Sequence, residues 1–192
     1  MNKVILLYGL PASGKLTIAS RLADEDNSFL IDSHYVHNFL RPFIGDYAGE
    51  RNYWDNEEYW QHVGNVRSEL LKVIGSFHPK DGAVSYIFTQ VVLDKDVEME
   101  MERFIRLAED IGGEFYPIWL CPGLETLKQR CVTEDRRNRK KISTIERLTN
   151  FIDDRQCSKK ETYKHPNHLI LDTSDMTEEE TYQAVRKHIA NK

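Results

Sequence analysis

Three features of the chain predict an α/β fold built around a parallel sheet. The first lies in residues 3–17, Lys-Val-Ile-Leu-Leu-Tyr-Gly-Leu-Pro-Ala-Ser-Gly-Lys-Leu-Thr, which read as a strand, a glycine loop and the start of a helix. The second is a series of later short apolar runs, Ser28–Asp32, Ala83–Thr89, Glu114–Cys121 and His168–Asp172, separated by stretches of helical period. The third is the carboxylate of Asp32 at the carboxyl end of the second run, the end at which open parallel sheets bind ligands.

Val4 to Tyr8 is apolar without a break, the pattern of a strand buried on both faces. Gly9 and Gly14 bracket four residues, Lys15 follows at once, and Ile18, Leu22 and Ala23 then share a helical face. This is the context a phosphate-binding loop requires. Glycines let backbone N–H groups converge on an anion without a Cβ in the way. The helix N-terminus adds partial positive charge, and Lys15 adds a full one at the outer phosphates. The residues expected around the nucleotide phosphates are Gly9, Pro11, Ala12, Ser13, Gly14, Lys15, Leu16 and Thr17. The usual motif has Ser or Thr directly after the lysine, with its hydroxyl on Mg²⁺. Here Leu16 holds that position and the hydroxyl comes at Thr17.

At 192 residues the chain is expected to be one domain, or one domain with an inserted lid. Its 40% apolar content suffices for a sizeable core, and its net charge of −5 argues against a general nucleic-acid binder. Cys121, Cys131 and Cys157 show no C-x-x-C spacing and read as reduced thiols of a cytoplasmic protein. No apolar run reaches the length of a membrane span, and no signal peptide is expected before the first strand.

After a polar turn at Asp24–Asn27, Asp32 reads as a general base for an acceptor hydroxyl, as a holder of Mg²⁺ through water, or as a cap for the next helix. These roles are compatible. His34 and His37 share a helical face, and with Asp32 they are a weak signal for a transition metal; His34 reads as an acceptor-side or a surface residue. Residues 35–62 are rich in aromatics (Tyr35, Phe39, Phe43, Tyr47, Tyr53, Trp54, Tyr59 and Trp60), which fits a satellite core or an acceptor pocket made of two helices and a loop. Asn56–Phe77 is expected as a long helix with Trp60, Val63, Val66, Leu70, Leu71 and Ile74 on one stripe. Arg67, near or off that stripe, is placed either to meet an anionic acceptor group or to pair with Glu69. Gln90, directly after the third strand, is the further acceptor-side candidate. Lys95–Ile111 reads as a helix with an acidic solvated face. Pro117 in the fourth strand suggests a bulge or an edge contact. The helix through Leu124, Leu127 and Cys131 is expected to run on into Arg136, Arg137, Arg139, Lys140 and Lys141. This basic run is a solvated face or a lid over a transferring phosphoryl group, and its self-repulsion would keep an empty lid open. The final helix is expected to be capped near Thr177.

The form Gly-x-Pro-x-x-Gly-Lys-x-Thr and the order of elements after it resemble the P-loop kinases of small molecules: adenylate, shikimate and gluconate kinases and chloramphenicol phosphotransferase. The resemblance spans nearly the whole chain, although only the phosphate loop is strongly specific. It implies a three-layer α/β/α P-loop nucleoside-triphosphate-binding fold, with five parallel strands in the order 2-3-1-4-5. It implies ATP and Mg²⁺ as cofactors, the metal held through water by Thr17 and Asp32. Asp32 matches the single base of chloramphenicol phosphotransferase, and Arg67 lies in Val-Arg-Ser-Glu-Leu-Leu, like the shikimate kinase helix that grips the acceptor carboxylate. Thr89-Gln90-Val91 replaces the glycine triplet of shikimate kinase, which argues against shikimate itself. Arg130, Thr173 and Ser174 fall where such kinases hold adenine.

The expectation is a single kinase domain over 1–192, with an acceptor-side insertion at about 35–62 and a basic lid at about 133–143. Lys15, Asp32, Arg136 and Arg139 are the expected catalytic residues; Arg137 joins the ATP site, and His34, Arg67 and Gln90 the acceptor site. The expected partners are ATP and a small molecule phosphorylated on a hydroxyl. The rival class is a nucleotide-binding switch or regulatory ATPase without a small acceptor.

Overall fold

The computed structural model describes residues 1–24, 28–44, 56–93, 96–155 and 163–190. Strands β1 (Asn2–Tyr8), β2 (Ser28–Asp32), β3 (Ser85–Gln90), β4 (Gly113–Leu120) and β5 (Leu169–Leu171) form one all-parallel sheet in the order β2-β3-β1-β4-β5. Strand β1 lies at its centre. Its side chains alternate between faces, and both faces are covered, so Val4 through Tyr8 are all buried.

Val4, Leu6 and Tyr8 pack with Phe88, Met101, Phe104 and Leu107 under helices α3 (Glu57–Phe77) and α4 (Val97–Asp110). Ile5 and Leu7 pack with Ile18, Leu22, Val185 and Ile189 under α1 (Lys15–Ala23) and α8 (Glu178–Ala190). Two helical layers therefore sandwich the sheet, in the arrangement expected of the P-loop α/β/α fold. Deleting one of these fully buried leucines, as in Leu6→Ala, costs about 2–5 kcal/mol. Helix α8 starts with a capping box: Glu180 N–H donates to Thr177 Oγ1 at 3.2 Å, and Thr177 N–H donates to Glu180 Oε2 at 2.8 Å.

Pro117 makes no bulge. It keeps register with Leu6 of β1, and β5 joins β4 only from Ile118 onward. The Phe115 carbonyl accepts from Asn167 Nδ2 at 3.1 Å on the β5 side, and alternation points residue 117 the same way. The missing N–H thus falls where no strand yet asks for it.

Helix α2 (His34–Leu40) leads into a 3-10 turn at Arg41–Ile44. Val36, Tyr59 and Val63, with Leu40, Ile44, Trp60 and Val66, make a satellite core between α2 and α3. The expected turn at Asp24–Asn27 lies mostly, and Tyr47, Tyr53, Trp54, Lys95 and Cys157 lie wholly, outside the described residues.

The helix expected to run through the basic cluster is interrupted. Helix α5 (Leu124–Cys131) stops, Thr133 is extended at φ −74°, ψ 151°, and a short α6 (Glu134–Asn138) follows. β-Branched Val132 and Thr133 disfavour continuation. The Cys131 thiol, within 3.4 Å of the Ile142 carbonyl, ties the end of α5 to the chain returning after α6. A further helix, α7 (Ile145–Arg155), buries Leu148 and Phe151 with Ala12, Leu127, Cys131 and Ile142 in a second satellite core beside the phosphate loop. Its cap is Thr144, whose Oγ1 accepts from Arg147 N–H at 3.3 Å. No described helix is long and apolar enough to cross a membrane.

Candidate active site

The loop Gly9–Gly14 leaves the carboxyl end of β1 and turns into α1. A Cβ at Gly9 would lie 2.3 Å from the Leu120 carbonyl oxygen of β4, so no other residue fits there. Gly14 sits at φ 91°, as the N-cap of α1 with no side-chain cap, which leaves the first amides of the helix to a ligand. Between them Ala12 adopts φ 69°, a strained value for a non-glycine residue. Lys15 Nζ lies across the loop, donating to the carbonyls of Gly9 at 2.9 Å and Leu10 at 2.7 Å and to Ser13 Oγ at 3.2 Å.

This loop opens into a cavity of about 650 Å³. Asp32, His34, His37, Arg41, Trp60, Arg67 and Thr89 line its sheet and α2–α3 side, and Arg130, Arg136, Arg139, Lys140 and Lys141 line the other. Pro11, Ala12, Ser13, Leu16 and Thr17 line its floor, and Thr17 is exposed there. Among the described residues, ten Lys or Arg side chains face three carboxylates, those of Asp32, Asp135 and Glu178. In a chain of net charge −5 this concentrates positive potential on one cavity, which suits a polyanion.

Asp32 is buried at the end of β2. Its Oδ1 accepts from Thr89 Oγ1 at 2.7 Å and from His34 N–H at 3.2 Å; its Oδ2 meets Lys141 Nζ at 3.2 Å. It therefore caps the start of α2 while facing the cavity. Burial pushes its carboxyl up, but His34, Lys141, the Thr89 hydroxyl and the His34 amide outweigh that and hold it below the usual carboxylate range. Burial, aided by Lys141, drives the His34 ring down to about 3. His34 is thus neutral at neutral pH, and Lys141 and the two hydrogen bonds keep Asp32 ionised there. The Lys141 ammonium is itself lowered by burial, with Asp32 opposing.

His37 is buried and driven to about 2, first by burial and then by Arg67. Arg67 NH2 lies 3.3 Å from His37 Nε2, and since arginine only donates, Nε2 accepts. The His37 proton then sits on Nδ1, 2.7 Å from Tyr59 Oη. Arg67 does not pair with Glu69, which bonds Lys72 instead at 3.1 Å. Its Nε is buried with no hydrogen-bond partner among the described residues, as is His34 Nδ1. Arg67 also lines a second cavity of about 560 Å³, with Trp60, Gln90, Glu100 and Arg103. Gln90 belongs to this second cavity and not to the first, and its Nε2 donates to Glu100 Oε2 at 2.7 Å.

Arg130 reaches from the loop side to the adenine-side candidates: its NH2 donates to the Thr173 carbonyl at 2.9 Å. Ser174 Oγ accepts from Gly123 N–H at 2.8 Å. Neither Thr173 nor Ser174 lines the first cavity. Arg136 is held against the chain by a 2.8 Å bond from Nε to the Ile142 carbonyl, and Arg139 pairs with Asp135 at 2.8 Å. Arg137 points to the Val132 carbonyl and does not line the cavity. The basic segment is thus folded over the cavity, its charges partly matched from within, whereas self-repulsion alone was expected to hold it open. Among the described residues, no group of three or more His, Cys, Asp or Glu side chains is placed to hold a metal ion.

Sequence reasoning missed the partners of Asp32. Thr89 was findable, since residues at the carboxyl ends of adjacent parallel strands meet, and Asp32 pairs with Thr89 in register. Lys141 was not, being 109 positions away.

A phosphate loop after the central strand, with sheet order β2-β3-β1-β4-β5, defines a P-loop nucleoside-triphosphate-binding α/β/α protein. The family model described as "AAA domain" matches residues 4–153, and the chain belongs to that family. No curated protein sequence matches it. Among solved structures, a sugar kinase from Janibacter sp. is similar, with 16% identity, a TM-score of 0.63, and coverage of 98% of this chain and 95% of that one. A gluconokinase from Sinorhizobium meliloti has 13% identity, a TM-score of 0.57, and coverage of 98% and 92%. The tunicamycin resistance protein of Deinococcus radiodurans has 12% identity, a TM-score of 0.58, and coverage of 99% and 96%. At these identities the likeness is one of fold.

Proposed function

We propose that this chain is an ATP-dependent kinase that moves the γ-phosphate to a hydroxyl of a small-molecule acceptor. The observation that carries this reading is one cavity shared by three parts: a phosphate loop, a buried carboxylate at Asp32, and a wall where Arg67 Nε and His34 Nδ1 lack partners among the described residues. A nucleotide switch needs the first part only. The names of the Janibacter and Sinorhizobium structures support the same direction. Strand β3 ends in Thr89-Gln90, without the acidic pair that holds metal in ATPase motors, which weighs against a motor despite the family's name.

In this reading the domain is a single unit, with the acceptor-side insertion at about 35–62 and the lid at about 133–143. The loop amides and Lys15 bind the phosphates, and Arg130, with the Thr173–Ser174 turn, flanks the base. Arg136 and Arg139 meet the charge on the transferring group, and Arg137, which points away from the cavity, would reach the nucleotide only after the segment moves. The acceptor hydroxyl hydrogen-bonds Asp32. As its oxygen bonds to the γ-phosphorus, its proton passes to Asp32 and the bond from that phosphorus to the β–γ bridging oxygen breaks, releasing ADP. Arg67 binds an anionic group of the acceptor with His34 beside it, and Gln90 would take part only where the acceptor extends into the second cavity that Arg67 and Trp60 also line.

The residues fit Mg²⁺, a hard cation that keeps waters. Thr17 and Asp32 offer oxygen donors to the same cavity, and both would hold the ion through water. Mg²⁺ would neutralise developing phosphate charge. The test is thermal unfolding with ATP and Mg²⁺. Saturating ATP should raise the melting temperature of the wild type by mass action, and Lys15→Ala should remove most of that shift while staying folded. An unchanged shift in folded Lys15→Ala overturns the phosphate assignment.

A further inference from the structure

We propose that Lys141 is a positioning residue of the transfer reaction, a latch that ties the basic segment across the cavity and presents the Oδ2 edge of Asp32 to the acceptor. The reaction half of this statement rests on the kinase reading; the latch half does not. Asp32 Oδ1 is committed to Thr89 and to the His34 amide, which leaves Oδ2 as the edge facing the cavity, and Lys141 Nζ stands against it at 3.2 Å. Both side chains are nearly closed off from solvent, at 12% and 10% exposure. Arg139 pairs with Asp135 inside its own segment, so that ion pair does not join the segment to the sheet. The Lys141 pair does.

The backbone is shaped to deliver it. Helix α6 ends with Lys140 N–H donating to the Arg137 carbonyl and Lys141 N–H to the Arg136 carbonyl, both at 2.9 Å. This is a Schellman end, whose left-handed position usually belongs to glycine. Here Lys140 holds it at φ 53°. A strained lysine in that role persists only where its surroundings over-determine it. The next side chain is then turned back to Asp32, and Arg136 Nε clamps the following Ile142 carbonyl at 2.8 Å. An ion pair this enclosed is costly to break from one side, because the remaining charge is left without a partner. The segment and the carboxylate are therefore coupled: moving one moves the other.

The test reads the latch and the chemistry separately. In ligand-free protein, Lys141→Met and Asp32→Asn should each speed amide hydrogen exchange over residues 133–143 by roughly tenfold or more, and Lys141→Arg should stay near the wild type. The double variant should exchange no faster than the faster single one, because both break the same pair. With ATP and Mg²⁺ and water as the acceptor, Lys141→Met should lower kcat by about tenfold while the KM for ATP moves by less than about threefold. Wild-type exchange in Lys141→Met, or additive effects in the double variant, overturns the latch. An unchanged kcat with faster exchange overturns the positioning role. Failure of the wild type to bind ATP overturns the kinase reading and with it the positioning role, while the exchange arm decides the latch in either case.

Discussion

Replacing Asp32 by Asn keeps the shape of the side chain and removes its charge, which separates its structural duty from its chemical one. The structural loss can be worked from its contacts. The Asn oxygen can still accept from Thr89 and from the His34 amide, so those two bonds survive. The amide nitrogen then faces the Lys141 ammonium, donor against donor, and that lysine loses its partner. Breaking a fully buried pair from one side costs about 3–5 kcal/mol. Lys141 can swing into a cavity of about 650 Å³, so water relieves part of this. A net loss of about 1–3 kcal/mol remains. For a chain of this size that lowers the melting temperature by about 2–12 °C. The chemical loss is larger: a missing general base lowers turnover by about a hundredfold or more, while ATP affinity changes far less. Thermal unfolding and a coupled ADP-release assay with an active acceptor measure the two. Turnover near wild type in a folded Asp32→Asn protein would leave Asp32 a helix cap and refute its role as base.

Gly9→Ala should destabilise by about 3 kcal/mol or more and abolish ATP binding, because its Cβ meets the Leu120 carbonyl at 2.3 Å; a normal melting temperature would contradict the loop geometry. Arg67→Gln should raise the acceptor KM by roughly tenfold or more and leave the ATP KM nearly unchanged, the scale of a lost charged hydrogen bond; equal effects on both would remove Arg67 from the acceptor site. Arg139→Ala should cut turnover more than it weakens ATP binding, read by kcat beside a binding titration, since its contact is made chiefly in the transition state. Stability should fall with acid below about pH 6.5. His34 and His37 titrate near 3 and 2 when folded, so above the unfolded value of about 6.5 neither contributes. Below it the unfolded chain binds protons that the folded chain refuses, which costs about 1 kcal/mol per pH unit for each ring down to the folded values. His37→Asn should flatten the slope between pH 7 and 5, and a wild-type melting temperature level over that range would contradict the burial of the rings.

The centre of the molecule was legible because one window of sequence carries it. An unbroken apolar strand, two glycines and a lysine within fifteen residues specify β1, the loop and α1 with little help from elsewhere. Asp32 was legible for a topological reason, since strand ends in a parallel sheet share one edge. Its partner Lys141 was hidden, because nothing local announces a contact spanning 109 residues. The basic run reads as repulsive on paper, yet Asp135, the Ile142 carbonyl and Asp32 hold three of its cations in place. Helix α7 carried a signal that went unused: Thr144 as cap, then Leu148 and Phe151 on one face. Arg67 reads from the sequence as a charge near or off the apolar stripe, and its link to His37 depends on how α2 packs against α3, which no periodicity reports.

The central claim is that the terminal phosphate of ATP leaves for a small molecule. The direct measurement supplies γ-labelled ATP and Mg²⁺ to the wild type with a panel of hydroxylated metabolites, weighted toward those bearing a carboxylate or phosphate, and follows the label. The expected result is label on one acceptor, in amounts equal to the ADP formed, with none in Lys15→Ala and labelling slowed about a hundredfold or more in Asp32→Asn. ATP that binds but sends its label only to water, whatever acceptor is present, would contradict the account and leave a nucleotide switch.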